Sequence, residues 1–88
     1  MRVIWDERKR VANIAKHGFD FADVGELDWD GAVVEFAKPD ASGRRRLKAV
    51  GRFRNGTAAV IFATLGTEAI SVISFRPANT RERRRLQW

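Results

Sequence analysis

Cysteine is absent from this chain, histidine occurs once, and proline occurs twice. Without cysteine there is no disulfide, no thiolate nucleophile and no cysteine-held zinc. A single histidine leaves too few nitrogen donors for a protein-held transition-metal site, and no cofactor is expected. No apolar run is long enough to span a membrane, and the opening MRVIWDERKR lacks the apolar centre of a secretory signal. A cytoplasmic protein with no membrane partner is expected.

What is present suits one small globular domain over residues 1–88, with 44% hydrophobic residues and a modest core. The net charge of +6 is unevenly spread. Residues 1–43 carry six Lys/Arg against nine Asp/Glu, and residues 44–88 carry eleven against two, so the halves stand at −3 and +9. Thirteen of the seventeen cations are arginine. Its planar fork grips phosphate in two places, where lysine offers a point charge. A basic half of this kind indicates a nucleic acid or acidic protein partner; the alternative is a solvated, solubilising surface.

Hydrophobic periodicity gives a coarse layout. RVIW (2–5) is a short strand. Asp6 caps a helix over 7–17, with Val11, Ile14 and Ala15 on one face and Lys9, Asn13 and Lys16 on the other, His17 at its edge. Gly18 ends it in the left-handed conformation. A second helix starts at Asp20 and buries Phe21, Val24 and Leu27. Strands follow at 32–38, 46–54, 57–65 and 68–76, separated by the loop 39–46 and by NG and GT turns. TAAVIFATL (57–65) is apolar almost throughout, as a central strand covered on both faces would be. Pro77 stops the last strand, and 79–88 form a short helix, with Asn79 and Glu82 spaced as a capping box. The order predicts an α+β fold with helices on one face of an antiparallel sheet.

Two-residue turns would set Arg54 opposite Thr57, Arg52 opposite Ala59, Ala59 opposite Ser74 and Thr57 opposite Arg76. One face then carries Leu47, Phe53, Val60, Phe62, Ile73 and Phe75 toward the helices. The other carries Arg46, Lys48, Arg52, Arg54, Ser74 and Arg76 around Val50, Ile61, Ile70 and Val72. Arg52, Arg54 and Arg76 would converge at one end. Alternate residues on a strand lie about 7 Å apart, comparable to phosphate spacing along a nucleic acid. The competing reading is a solvated face with rim arginines, and a one-residue slip would undo the convergence.

The segment WDERKRVANIAKHGFDFAD resembles the N-terminal signature of the BrnT family of bacterial toxins, W-D-x-x-K-x-x-x-N-x-x-K-H-G-x-x-F. It falls on Trp5, Asp6, Lys9, Asn13, Lys16, His17, Gly18 and Phe21. KAVG (48–51) and VISFRPANTRERRR (72–85) are similar to later family segments, in the same order. Many members have an acidic residue then Arg before the central strand, where this chain has Arg44, Arg45 and Arg46, Arg where Ser71 stands and Tyr where Leu86 stands; Arg46, Arg76 and Glu82 are retained. The resemblance implies a RelE-like ribonuclease fold: two N-terminal helices packed on a mainly antiparallel sheet of four to five strands, with a short C-terminal helix. It also implies a metal-independent endoribonuclease toxin that inhibits translation. Its partner would be a BrnA-type ribbon-helix-helix antitoxin, through which alone it would meet operator DNA.

Such chemistry uses the 2′-hydroxyl of the RNA as nucleophile and needs a base, an acid and cations around the phosphorane. Arg46, Arg52 and Arg76 are the candidates for binding phosphate and transition-state charge. Glu82 is the candidate base, although completing the capping box would also account for it. The Lys16–His17–Gly18 run satisfies a helix terminus; His17, the side chain titrating nearest neutrality, is a secondary catalytic candidate on a helix expected to face away from the arginines. Lys9, Asn13, Lys16, Lys48, Arg54 and Arg81 are candidate RNA contacts. An antitoxin is expected to bring carboxylates to the arginine face or to the helix bearing Arg81, Arg83, Arg84 and Arg85; the alternative is docking at the acidic segment with Asp20, Asp23, Glu26, Asp28 and Asp30. Two rival functions are a non-catalytic nucleic-acid-binding module and a protein that meets an acidic chain. Cleavage separates the first, and a steep salt dependence of RNA affinity the second.

Overall fold

The computed structural model describes residues 1–86. The last two residues of the expected C-terminal helix, Gln87 and Trp88, lie outside the described residues. The elements are β1 (Arg2–Ile4), α1 (Glu7–His17), a 3-10 helix (Phe21–Glu26), β2 (Val33–Ala37), β3 (Arg46–Phe53), β4 (Gly56–Leu65), β5 (Ala69–Pro77) and α2 (Thr80–Arg85). The strands form one sheet in the order β1-β5-β4-β3-β2. β4 is central, as its apolar run predicted. Two expected details change. The second N-terminal helix is a 3-10 turn, although its Asp20 cap and buried Phe21, Val24 and Leu27 stand as read. The sheet is mixed, because β1 joins β5 in parallel while the other pairs are antiparallel.

The helices do not share one face. The 3-10 helix and the segment that follows cover the face bearing Ala49, Phe53, Val60, Phe62, Val72 and Phe75. Phe19, Phe53 and Phe75 interlock there with ring centroids 4.9–5.2 Å apart. Gly51 lets this layer approach closely, since a Cβ would stand 3.1 Å from the Asp28 carbonyl oxygen. α2 lies on the opposite face, where Ala78 and Leu86 pack on Val50 and Ala59.

α1 covers neither face squarely but flanks the edge of β5. β1 is three residues long and its pairing stops at Ile4 opposite Ser71, so Phe75, paired with Val60 of β4 on one side, has no strand on the other. Asn13 takes that place. Its Oδ1 accepts from Phe75 N (3.2 Å), and its Nδ2 donates to Phe75 O (2.7 Å) and Phe19 O (2.9 Å). The helix is therefore turned opposite to the expectation: Asn13 is buried at 7% exposure, and Val11 and Ile14 face outward at 55% and 37%. Satisfying a buried backbone donor and acceptor outweighs burying two aliphatic side chains. Asn13→Asp is expected to cost about 2–4 kcal/mol in unfolding free energy, because a carboxylate cannot donate to two carbonyls. Denaturant titration of both proteins checks this, and a loss below ~0.5 kcal/mol would reject the role.

The register also differs. Phe53 pairs with Gly56, so the first hairpin turns on Arg54–Asn55, with Arg54 at φ 53°. Arg52 then faces Thr57 and Val50 faces Ala59. In the second hairpin Leu65 pairs with Ala69, Phe62 with Val72 and Ile61 with Ser74, so Ile73 is an extra residue on β5. This bulge switches the strand's alternation. Ile70 and Val72 belong to the core, and Ile73 turns to the other side. Ser74 and Arg76 keep their expected face, Arg76 opposite Ala59 rather than Thr57.

Candidate active site

Three cross-strand rows build the face opposite the aromatic core. Lys48, Ile61 and Ser74 form one, Val50, Ala59 and Arg76 the next, and Arg52 with Thr57 the third. Arg46 starts β3 one row before Lys48, and Glu35 on β2 lies beside Lys48. Arg46, Lys48, Arg52 and Arg76 thus share a face.

A carboxylate organises them. Asn79 caps α2 by accepting from the Glu82 N–H, and Glu82 accepts from the Asn79 N–H in return (2.9 Å). The capping box fixes Glu82 on the first turn, pointing into the sheet, and its exposure is 2%. Arg76 grips both its oxygens with a guanidinium fork, at 2.7 and 2.9 Å. Lys48 Nζ stands 3.0 Å from Oε2 and 3.2 Å from Glu35. Arg85 pairs with Glu35 from the far end of α2. The chain Arg76–Glu82–Lys48–Glu35–Arg85 fastens α2 to three strands and holds two cations in fixed positions.

The Arg76 fork, with the Asn79 N–H and Lys48 adding to it, lowers the Glu82 pKa from 4.5 to about 2 despite burial. A folded-state pKa below the unfolded value contributes stability that is complete above pH ~4.5 and is lost as pH falls toward ~2. Wild type is therefore expected to lose roughly 2–3 kcal/mol more than Glu82→Gln between pH 6 and pH 2. Urea unfolding of both at each pH measures the difference; parallel losses would show that the carboxylate is not engaged.

His17 lies nearer the cations than the sequence suggested. Because α1 runs along the β5 edge, its C-terminal end reaches the side of the sheet that carries Arg76. His17, Lys9 and Lys16 line a depression floored by Ile73 and Ser74. Burial, then the charges of Lys16 and Arg76, lower the His17 pKa below 6.5.

The remaining candidates divide. Lys9 and Lys16 are exposed on the wall of this depression, but Asn13 is taken up by the Phe75 backbone. Arg54 is not with the other arginines. As a turn residue it points to the opposite layer, paired with Glu26 (2.9 Å) and Asp23 (3.2 Å) and stacked 4.8 Å over the Phe53 ring. Arg81 is exposed on α2. Residues missed in the sequence are Glu35, whose alternation with Val33 and Ala37 would have placed it on this face, and Asp40, considered below. Among the described residues no three His, Asp or Glu side chains gather as a metal site.

The family model described as "Ribonuclease toxin, BrnT, of type II toxin-antitoxin system" matches residues 5–82. The chain belongs to the BrnT family. The crystal structure of the Brucella abortus ribonuclease toxin BrnT is similar to it, with 49% identity, a TM-score of 0.75, and coverage of 91% of this chain and 99% of that one. Comparison with curated proteins finds no match. The stretch matched to the BrnT model opens at Trp5, beside the helix that carries His17, and closes on Glu82, the carboxylate that gathers Arg76 and Lys48. Among the described residues no helix is long and apolar enough to cross a membrane.

Proposed function

We propose that this BrnT-family chain is a cytoplasmic, metal-independent endoribonuclease with a RelE-like mechanism, that it inhibits translation by cutting RNA, and that a BrnA-type ribbon-helix-helix antitoxin neutralises it. The observation that carries this reading is the Arg76–Glu82–Lys48 cluster on the sheet face that His17 borders through Ser74. Arg76 and Lys48 bind the scissile phosphate, and Arg46 and Arg52 add charge on either side. His17 takes the proton of the 2′-hydroxyl, which attacks the adjacent phosphorus. The phosphorane charge develops against cations already held in place, so little reorganisation is needed. The 5′-oxygen leaves, taking a proton from solvent, and a 2′,3′-cyclic phosphate remains.

Glu82 is reassigned in this scheme. A carboxylate with a pKa of about 2 that already accepts from Arg76, Lys48 and Asn79 is a poor base near neutral pH. It is the positioning group for Arg76 and Lys48.

The test is incubation of the pure protein with RNA in excess EDTA, alongside induced expression in a bacterium. Fragments ending in cyclic phosphate and arrested growth are expected, with 2′-O-methyl RNA left intact. The rate should rise with pH to a plateau as His17 loses its proton, with a midpoint below that of an ordinary histidine, since the base form is required and burial with Lys16 and Arg76 lowers its pKa. Tight, salt-sensitive RNA binding without cleavage would instead favour a non-catalytic RNA-binding module.

A further inference from the structure

The depression beside His17 opens at Lys9 and Ile73 into a second, larger trough of about 600 Å3. Its floor is Ala63, Leu65, Ser71 and Ile73, on the same sheet face as Arg76. The start of α1, with Lys9, forms one wall. The loop ahead of β3, with Arg44 and Arg45, and Arg46 at the start of β3 form the other.

The lining contains four cations and one carboxylate, Asp40. That carboxylate serves its own loop: Oδ1 accepts from Ser42 N, Ser42 Oγ and Arg44 N at 2.6–2.9 Å. These bonds fix the loop and hold the Arg44 backbone. They engage Asp40 mainly within the loop, since its other oxygen stands 3.9 Å from the Arg46 guanidinium. The Arg46 Nε is buried and has no hydrogen-bond partner. Leu65 and Ile4, at 43% and 40% exposure, leave apolar surface open between the cationic walls.

We infer that this trough is an extended subsite for single-stranded RNA, holding the phosphates of nucleotides that flank the cleaved bond between Lys9 on one wall and Arg44 and Arg46 on the other. The inference rests on the ribonuclease reading and deepens it. Cations on opposed walls suit a backbone lying lengthwise, with sugars and bases over the aliphatic floor. Continuity with the His17 depression through Lys9 and Ile73 puts the same strand within reach of both. A pre-organised loop lowers the ordering cost of binding.

Binding of a 2′-O-methylated ten-nucleotide RNA and of a dinucleotide, measured across a salt series, tests this. Wild type should bind the ten-mer at least ~30-fold more tightly than the dinucleotide. Arg44→Glu should weaken ten-mer binding about 10-fold and flatten the salt slope by about 0.7, the value for one phosphate on a single strand. Arg44→Gln, a milder change at an exposed position, should shift both in the same direction and guards against a misfolded variant. Unaltered ten-mer affinity and slope in both variants would overturn the subsite, even where cleavage is intact. Preference for polyglutamate over the ten-mer would also overturn it, in favour of an acidic protein segment. Lost length discrimination in the variants, with no cleavage by wild type, would reject the catalytic reading and keep the subsite.

Discussion

Arg76→Ala is expected to lower RNA cleavage about 10²–10³-fold, the usual cost of removing one fixed donor from a developing oxyanion, and to abolish growth arrest. The guanidinium has two tasks. Its fork on Glu82 fixes its orientation, one row from Lys48 on the same sheet face. Alanine also leaves Glu82 buried with only Lys48 and the Asn79 N–H, so a stability loss of about 1–3 kcal/mol should accompany the catalytic one. The two losses separate in Arg76→Lys. Lysine keeps a charge near the carboxylate but cannot make the fork. It should restore most of the stability and leave cleavage at least about 10-fold down. Cleavage rates measured beside urea midpoints decide the matter. Full activity in a folded Arg76→Ala protein would remove the residue from the site, and an Arg76→Lys protein equal to wild type in both would show that only the charge matters.

Local signals in the sequence specify structure where the chain obeys local rules. Asp20 before Phe21, Val24 and Leu27 gives a capped, one-sided turn whatever its pitch, and all three are buried. Asn79 and Glu82 sit at capping-box spacing, and both reciprocal bonds form. The face shared by Arg46, Lys48 and Arg52 was visible in the alternation of β3. What failed depended on contacts between distant residues. A helical wheel gives two faces and does not say which one meets the sheet. That choice was made by Phe75, sixty-two residues from Asn13, whose backbone has no strand on the side away from β4. The bulge at Ile73 comes from fitting Ile70, Val72 and Phe75 into one core, which strict alternation along β5 does not allow. Arg54 was misplaced because the NG pair signalled a turn one residue too late, while Phe53 packing against Phe75 fixed the turn at Arg54–Asn55. His17 ranked only as a secondary candidate because a helix covering the core face would turn it away from the arginines. Once α1 is at the sheet edge, the same residue that ends the helix lies within reach of Arg76's charge.

Reversing charge along the trough and the Arg76 face is expected to weaken antitoxin binding at least 100-fold, in the range found for truncating buried charge pairs at interfaces. The basic half carries +9, and without a cover it would hold RNA at many sites at once. The acidic segment is the rival docking surface, but its charges are largely in use. Asp20 pairs with Arg10 at 3.0 Å, and Asp23 and Glu26 both pair with Arg54. Asp28 accepts from the Gly31 N–H. A basic partner docking there would have to compete with these bonds, whereas an acidic partner meets the cations of the trough directly. Occlusion of the trough also accounts for inhibition without any change of shape in the toxin. The test pairs Lys9→Glu with Arg44→Glu, and Arg83→Glu with Arg84→Glu, against Asp28→Lys with Asp30→Lys, each measured by calorimetry against the antitoxin. The trough pair should lose most affinity, the α2 pair should lose less, and the wild-type on-rate should fall as salt rises. Loss confined to the Asp28 and Asp30 pair, with the basic pairs binding as wild type, would place the antitoxin on the acidic segment and require that it inhibit from a distance.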